Sequence, residues 1–229
     1  MSNHYVIHIP ETTITGKRLG RHVERDERSR AFSVASHATG VLKTTQHRRH
    51  CSPFNQGDLG SCTGNAMVGA LMTGPLFKAT RILGEQDAVD LYSAATRLDR
   101  IPGHYPHDDT GSSGLAVAKA AQQRGYISSY RHAFGISQAL TALSRGPVIV
   151  GVNWYEGFDM PVGTSAELQI LGTIRGGHEM VIDGIDVESG YVHLTNSWGS
   201  QWGNQGTCVM SFATLRRLLV EGGDVTVPT

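Results

Sequence analysis

Asn55-Gln56-Gly57-Asp58-Leu59-Gly60-Ser61-Cys62-Thr63-Gly64-Asn65-Ala66 is the stretch whose reading decides the fold. A glycine-rich loop runs into an apolar helical pattern at Ala66, Met67, Ala70 and Leu71, so the thiol of Cys62 falls at a helix N-terminus. There the positive end of the helix dipole favours thiolate over thiol. Gln56, six residues earlier, carries a side-chain amide able to donate to an oxyanion forming beside that sulfur.

A nucleophilic thiol needs a base, and the base needs a group that holds its ring. Gly176-Gly177-His178-Glu179-Met180-Val181-Ile182 places a histidine at the start of an apolar, strand-like run. Tyr191-Val192-His193-Leu194-Thr195-Asn196-Ser197-Trp198-Gly199 places an asparagine at the end of a second strand, with a tryptophan just after it. The order Gln56, Cys62, His178, Asn196, bracketed by Gln-Gly-x-x-Gly-Ser-Cys and Asn-Ser-Trp-Gly-x-x-Trp-Gly-x-x-Gly, resembles the papain-like cysteine peptidase family from about Cys51 to about Leu218. Asp58 to Thr63, Asp109 to Gly114 and Pro147 to Val152 are similar to its bacterial, archaeal and viral branch.

The resemblance implies an α+β, two-lobed fold with a helical N-terminal lobe, a β-barrel-like C-terminal lobe and the active site in the cleft between them. It implies a cysteine endopeptidase working through a thioester acyl-enzyme. Cys62 would attack as a thiolate paired with the His178 imidazolium, Asn196 would orient the ring, and Gln56 would complete the oxyanion hole. For substrate it implies Gly111 and Ser112 as an edge for an extended peptide, and Gly151 and Gly177 as walls of a roomy pocket for the second residue before the scissile bond. Trp198 would shield the His178–Asn196 bond, while Trp202 reads as core.

Two positions depart from the family pattern. Thr63-Gly64-Asn65 stands where an aromatic-rich helix start is usual, and Glu179 follows the histidine where a small apolar residue is common. On a strand the Glu179 side chain points away from that of His178, so a modest effect is expected. Leu59 takes the place of a structural cysteine common in animal and plant relatives, which suits a reducing compartment.

Lys+Arg and Asp+Glu both number 20, so no global charge favours nucleic acid or an anionic membrane. His47-Arg48-Arg49-His50 reads as a solvated basic turn. The chain has no run of about 18 apolar residues. Its start lacks a basic region followed by an apolar core, so a cytoplasmic location is the default expectation. Three cysteines are too few for a disulfide scaffold. Cys51 and Cys208 read as buried or half-buried thiols, with a bridge between them as the alternative, and no Cys-x-x-Cys or paired histidine calls for a metal or cofactor.

Helical periodicity starts at Cys62 and runs toward Leu71, or on to Leu83 with a break at Gly74-Pro75. Further helices are expected over about Ala88–Leu98 and Leu115–Arg124, the latter stopped by Gly125. The period then shifts to strands at Pro147–Trp154, Glu179–Asp186, Tyr191–Asn196 and Thr207–Phe212, with a closing helix over Phe212–Val220. This places a helical lobe at about residues 55–135 and a strand-rich lobe at about 140–229, within a domain covering 41–229. Residues 1–40 are polar and weakly periodic. The plainer reading is an arm packed on the back of the molecule or disordered; the alternative is a short latch draped over the cleft.

The expected partner is a peptide or protein substrate. An acyltransferase or ligase could use the same four residues, and a catalytically silent peptide-binding module is the non-enzymatic alternative. The presence of all four residues argues against the silent module.

Overall fold

Cys62 opens the first helix, α1 (Cys62–Leu71), every residue of which is buried. Such a helix has no solvent face and must be enclosed, which α2 (Glu85–Ala95) and α3 (Gly114–Gln123) do together with the strands behind it. The helix ends at Leu71 and does not continue toward Leu83, since Pro75 has no N–H to donate. Helix α3 starts on the Ser113 hydroxyl, which accepts from the Ala116 N–H, and is followed by Gly125 at φ +68°, a left-handed stop. The computed structural model describes residues 3–34 and 42–229; the expected arm–domain boundary at residue 40 lies outside the described residues.

Strands β1 (His4–Ile7) and β2 (Val23–Asp26) pair as an antiparallel two-stranded sheet near the N-terminus. The second sheet contains β3 (Thr45–Gln46), β4 (Tyr130–Ala133), β5 (Val148–Tyr155), β6 (Ile174–Asp186), β7 (Tyr191–Thr195), β8 (Thr207–Ser211) and β9 (Asp224–Pro228). Its order is β4-β9-β5-β6-β7-β8, antiparallel throughout, with β3 added along β6. The described strands form an open sheet, so the expected barrel-like lobe is not closed into a ring. Helices α4 (Ile136–Leu143) and α5 (Phe212–Val220) complete this lobe. No described helix is long and apolar enough to cross a membrane.

The central strands serve two cores. In β5, Val148, Val150 and Val152 join the sheet-lobe core around Trp154, Phe158 and Met180, while Ile149 joins the helical core with Met67, Leu91 and Val117. In β6, Met180 and Ile182 face the first core and Val181 the second. Burial on both faces explains why these strands read as apolar runs rather than as clean alternation.

Gly64 sets the closest approach of α1 to α2. A Cβ there would collide with the Ala88 carbonyl oxygen and reach within 3.0 Å of the Tyr92 Cβ. Helix propensity alone favours Gly64→Ala by up to about 1 kcal/mol, but backbone cannot yield as a side-chain tip does. Gly64→Ala is therefore expected to destabilise by about 1–3 kcal/mol, read as a lower denaturation midpoint with an unchanged m-value.

Candidate functional site

Cys62 is the first residue of α1, after Ser61, whose side chain makes no cap hydrogen bond. Its sulfur is fully buried and receives the backbone N–H of Glu179, which sets it against β6 one residue from His178. His178 is also fully buried, with Nε2 2.7 Å from Asn196 Oδ1. That oxygen also accepts from the Ser197 N–H at 2.7 Å, so the amide is fixed from two sides. His178 Nδ1 has no hydrogen-bond partner. The strand end after β7 thus brings Asn196 to the ring, as its place in the sequence leads one to expect.

Aromatic rings enclose the imidazole. Trp198 lies 5.1 Å from it and Trp154 4.7 Å, centroid to centroid, the latter edge-on. Trp154 was not singled out in the sequence, although it pairs across the sheet with Gly176, two residues before the histidine. Trp202 packs against both tryptophans within the core.

Gln56 is buried and held at both ends of its amide. Its Oε1 accepts from the Ser197 hydroxyl at 2.5 Å, and its Nε2 donates to the carbonyls of Leu59 at 2.9 Å and Arg18 at 3.0 Å, approaching that of Leu19 at 3.3 Å. Trp198 Nε1 donates to the same Arg18 carbonyl at 3.0 Å. Two of the site's side-chain donors are therefore turned onto peptide carbonyls of the chain's own N-terminal segment.

That segment neither packs on the back of the molecule nor hangs free. Residues 8–22 form a loop closed at its base by the β1–β2 pairing, and its far half lies across the site. Ser112 donates its N–H to Gly20 O and accepts from the His22 N–H, both at 2.8 Å, while Gly177 O accepts from the Gly20 N–H at 3.2 Å and the Arg21 N–H at 2.9 Å. Ser112 and Gly177 thus grip the segment from opposite sides. Gly111, at φ +69°, allows this approach, since a Cβ there would run into Gly20. Arg175, almost fully buried, donates to the carbonyls of Thr12 at 2.7 Å and Lys17 at 2.8 Å and pairs with Asp159 at 3.0 Å. Gly151 borders the Arg21 side chain, which fills the room expected to be open.

Glu179 does point away from His178, but its environment is far from neutral. It is fully buried near Arg21, Gly114 and Asp224, and burial followed by the Asp224 charge pushes its carboxyl up. Asp224 was missed because it enters on β9, a strand the sequence reading did not identify. All three cysteines are free thiols.

Enclosure sets the protonation of the pair. Burial, then the Glu179 charge, drives the Cys62 thiol well above its usual range, and burial lowers His178 to about 3 against the partial support of Asn196. Burial thus favours the neutral form of each group. His22, within the segment, is lowered to about 4 chiefly by burial; its Nδ1 accepts from the Ile9 N–H and its Nε2 lies 2.9 Å from Thr110 O.

A model described as papain family cysteine protease matches residues 29–217. Solved structures with this fold include xylellain, a cysteine protease from Xylella fastidiosa, at 18% identity and TM-score 0.71 over 96% of this chain and 98% of that one. The bromelain protease from Ananas comosus matches at 19% identity and TM-score 0.57, over 81% and 99% of the two chains. Digestive procathepsin L 3 from the Tenebrio molitor larval midgut matches at 16% and TM-score 0.64, over 86% and 73%. No curated protein sequence matches significantly.

The sign of the pH dependence follows from His22. Its pKa in the docked state lies below the free value of 6.5, so its contribution to docking is complete above pH 6.5 and is lost as pH falls through about 4. Glu179, raised by burial, acts in the opposite sense and cancels when two chains that both carry it are compared. Between pH 6.5 and 4, hydrogen-exchange protection of residues 8–22 is expected to fall more in the parent than in His22→Gln. Equal loss in both would remove His22 as the cause.

Proposed function

The chain belongs to the papain family of cysteine proteases, and from that premise we propose that it is an endopeptidase working through Cys62, His178, Asn196 and Gln56. Once the site is uncovered and solvated, Cys62 and His178 share a proton as thiolate and imidazolium. The sulfur attacks the substrate carbonyl carbon, forming a C–S bond and an oxyanion. Gln56 Nε2 and the Cys62 backbone N–H donate to that oxyanion. His178 Nδ1–H gives its proton to the leaving nitrogen as the C–N bond breaks. Water, deprotonated by the same nitrogen, then hydrolyses the thioester and restores the thiol.

The observation that carries this reading is the state of the His178 ring. One nitrogen is committed to Asn196, and the other is buried and unpartnered on the strand whose next residue offers its amide to the Cys62 sulfur. A neutral orienter fits a ring that must become cationic during turnover yet release its proton to the amine.

The segment at residues 8–22 acts as a latch in this reading. It takes the backbone positions of Ser112 and Gly177 and the donors of Gln56 and Trp198, so substrate and latch exclude one another. Leu19, fully buried in the sheet-lobe core cluster, anchors it. Deleting that anchor costs the docked state about 2–5 kcal/mol and leaves the catalytic residues unchanged.

Labelling of Cys62 by a peptidyl epoxide, followed by mass spectrometry beside peptide hydrolysis, tests both parts. Leu19→Ala should speed labelling at least about ten-fold, and Cys62→Ser should abolish hydrolysis. In the Leu19→Ala background, Gln56→Ala should lower kcat about 10²–10³-fold. Labelling of the parent at the rate of Leu19→Ala would dismiss the latch, and hydrolysis surviving in Cys62→Ser would dismiss the nucleophile.

A further inference from the structure

Strand register brings three residues into one row across the sheet. Gly151 on β5 is opposite Glu179 on β6 and opposite Asp224 on β9, so two acids flank a residue with no side chain. Neighbouring strands lie about 4.8 Å apart, which leaves a gap between the carboxylates about the width of one flat cation. A Cβ on Gly151 would come within 2.7 Å of Arg21 Nε and 2.9 Å of Asp224 Oδ1. On the opposite wall, at the start of α3, a Cβ on Gly114 would come within 2.5 Å of Glu179 Oε1 and 2.9 Å of Asp224 Oδ2. Glycine on both walls keeps this acidic space open.

The latch fills it with a guanidinium. Arg21 is fully buried, pairs through Nη2 with Asp224 Oδ1 and donates from the same nitrogen to Gly222 O at 2.9 Å. The fit is incomplete. Arg21 Nε and Nη1, both Glu179 carboxyl oxygens and Thr226 Oγ1 are buried without hydrogen-bond partners. A fully buried carboxyl group with no partner is costly to keep, yet Glu179 is one residue from His178 and two from Gly177, whose carbonyl holds the segment. A structural ion pair would gain from closing these bonds; a pocket that must release one occupant and accept another leaves them available.

We propose that Glu179, Gly151, Gly114 and Asp224 form a substrate pocket selecting a cationic side chain, arginine above all, at the second residue before the scissile bond, with Arg21 as the latch's stand-in for it. The proposal rests on the peptidase reading of the cleft. Arginine is favoured over lysine because a planar guanidinium presents donors to two carboxylates on opposite edges, whereas an ammonium is a single point of charge. Held by the path of the latch backbone, Arg21 reaches Asp224 and leaves Glu179 unmet. A substrate arginine entering on its own backbone satisfies both.

The test uses the full chain carrying Arg21→Ala, which empties the pocket, and two peptidyl epoxides that differ only in having arginine or citrulline at that residue. Citrulline keeps the shape and loses the charge. Cys62 labelling should be at least about ten-fold faster with the arginine reagent, the difference a charged hydrogen-bonded pair makes. Glu179→Gln and Asp224→Asn, each added to Arg21→Ala, should shrink that ratio while labelling with the citrulline reagent persists. Equal rates for the two reagents, or a ratio untouched by both acid substitutions, overturns the pocket and leaves the peptidase reading standing. Failure of both reagents to label Cys62 even when Leu19→Ala is added to release the latch, with His178→Ala indistinguishable from its parent, overturns the peptidase reading and the pocket with it.

Discussion

Two strands buried on both faces govern this molecule. Because β5 and β6 are sandwiched between the helical core and the sheet-lobe core, each step along them passes from one environment to the other. His178 and Glu179 are neighbours in sequence and therefore neighbours across a wall. One side holds an imidazole among tryptophans and fixed by an amide; the other holds a carboxylate facing α3 and β9. The Glu179 N–H joins the two by pointing at the sulfur that opens α1. A slip of one residue in this register would exchange the two environments and disable both.

In the proposed latch, burial is also what keeps the site silent. Charges are costly in a closed, dry space, so burial of the thiol and the imidazole favours the neutral form of each. The covering segment gains its hold from the backbone groups and donors that an extended peptide would use, and from an arginine that answers an acidic recess. In that reading, inhibition and recognition draw on the same surface features.

Much of this was legible in the sequence, and what was not has physical reasons. Cys62 and Asn196 stood out because they sit at junctions, loop into helix and strand into turn, where local residue types report on geometry; His178, inside β6, and Gln56, in the loop before α1, stood out by their glycine neighbours and by their spacing from those two. The closing helix, Phe212–Val220, was readable from end to end because a strand and a glycine pair bracket it. Helix α4 and strands β4 and β9 escaped notice: they are short, and Asp224-Val225-Thr226-Val227-Pro228 becomes a strand only through pairing with β5 and β4. The acid pair was hidden for the same reason, since Glu179 and Asp224 meet through register alone. The arm misled because a segment that docks by backbone hydrogen bonds needs no apolar periodicity of its own.

The β1–β2 pairing at the base of the covering loop has a consequence for how tightly the loop is held. With both ends tied beside the cleft, re-docking is a unimolecular event governed by effective concentration rather than by the intrinsic strength of each contact. A single backbone nick between residues 8 and 22 leaves two stubs still joined by strand hydrogen bonds, and Ser113 still donates to Glu24 on the second of them. Nicking therefore lowers the local concentration of the plug without discarding it. Full clearance needs the ribbon itself to peel from the start of α3.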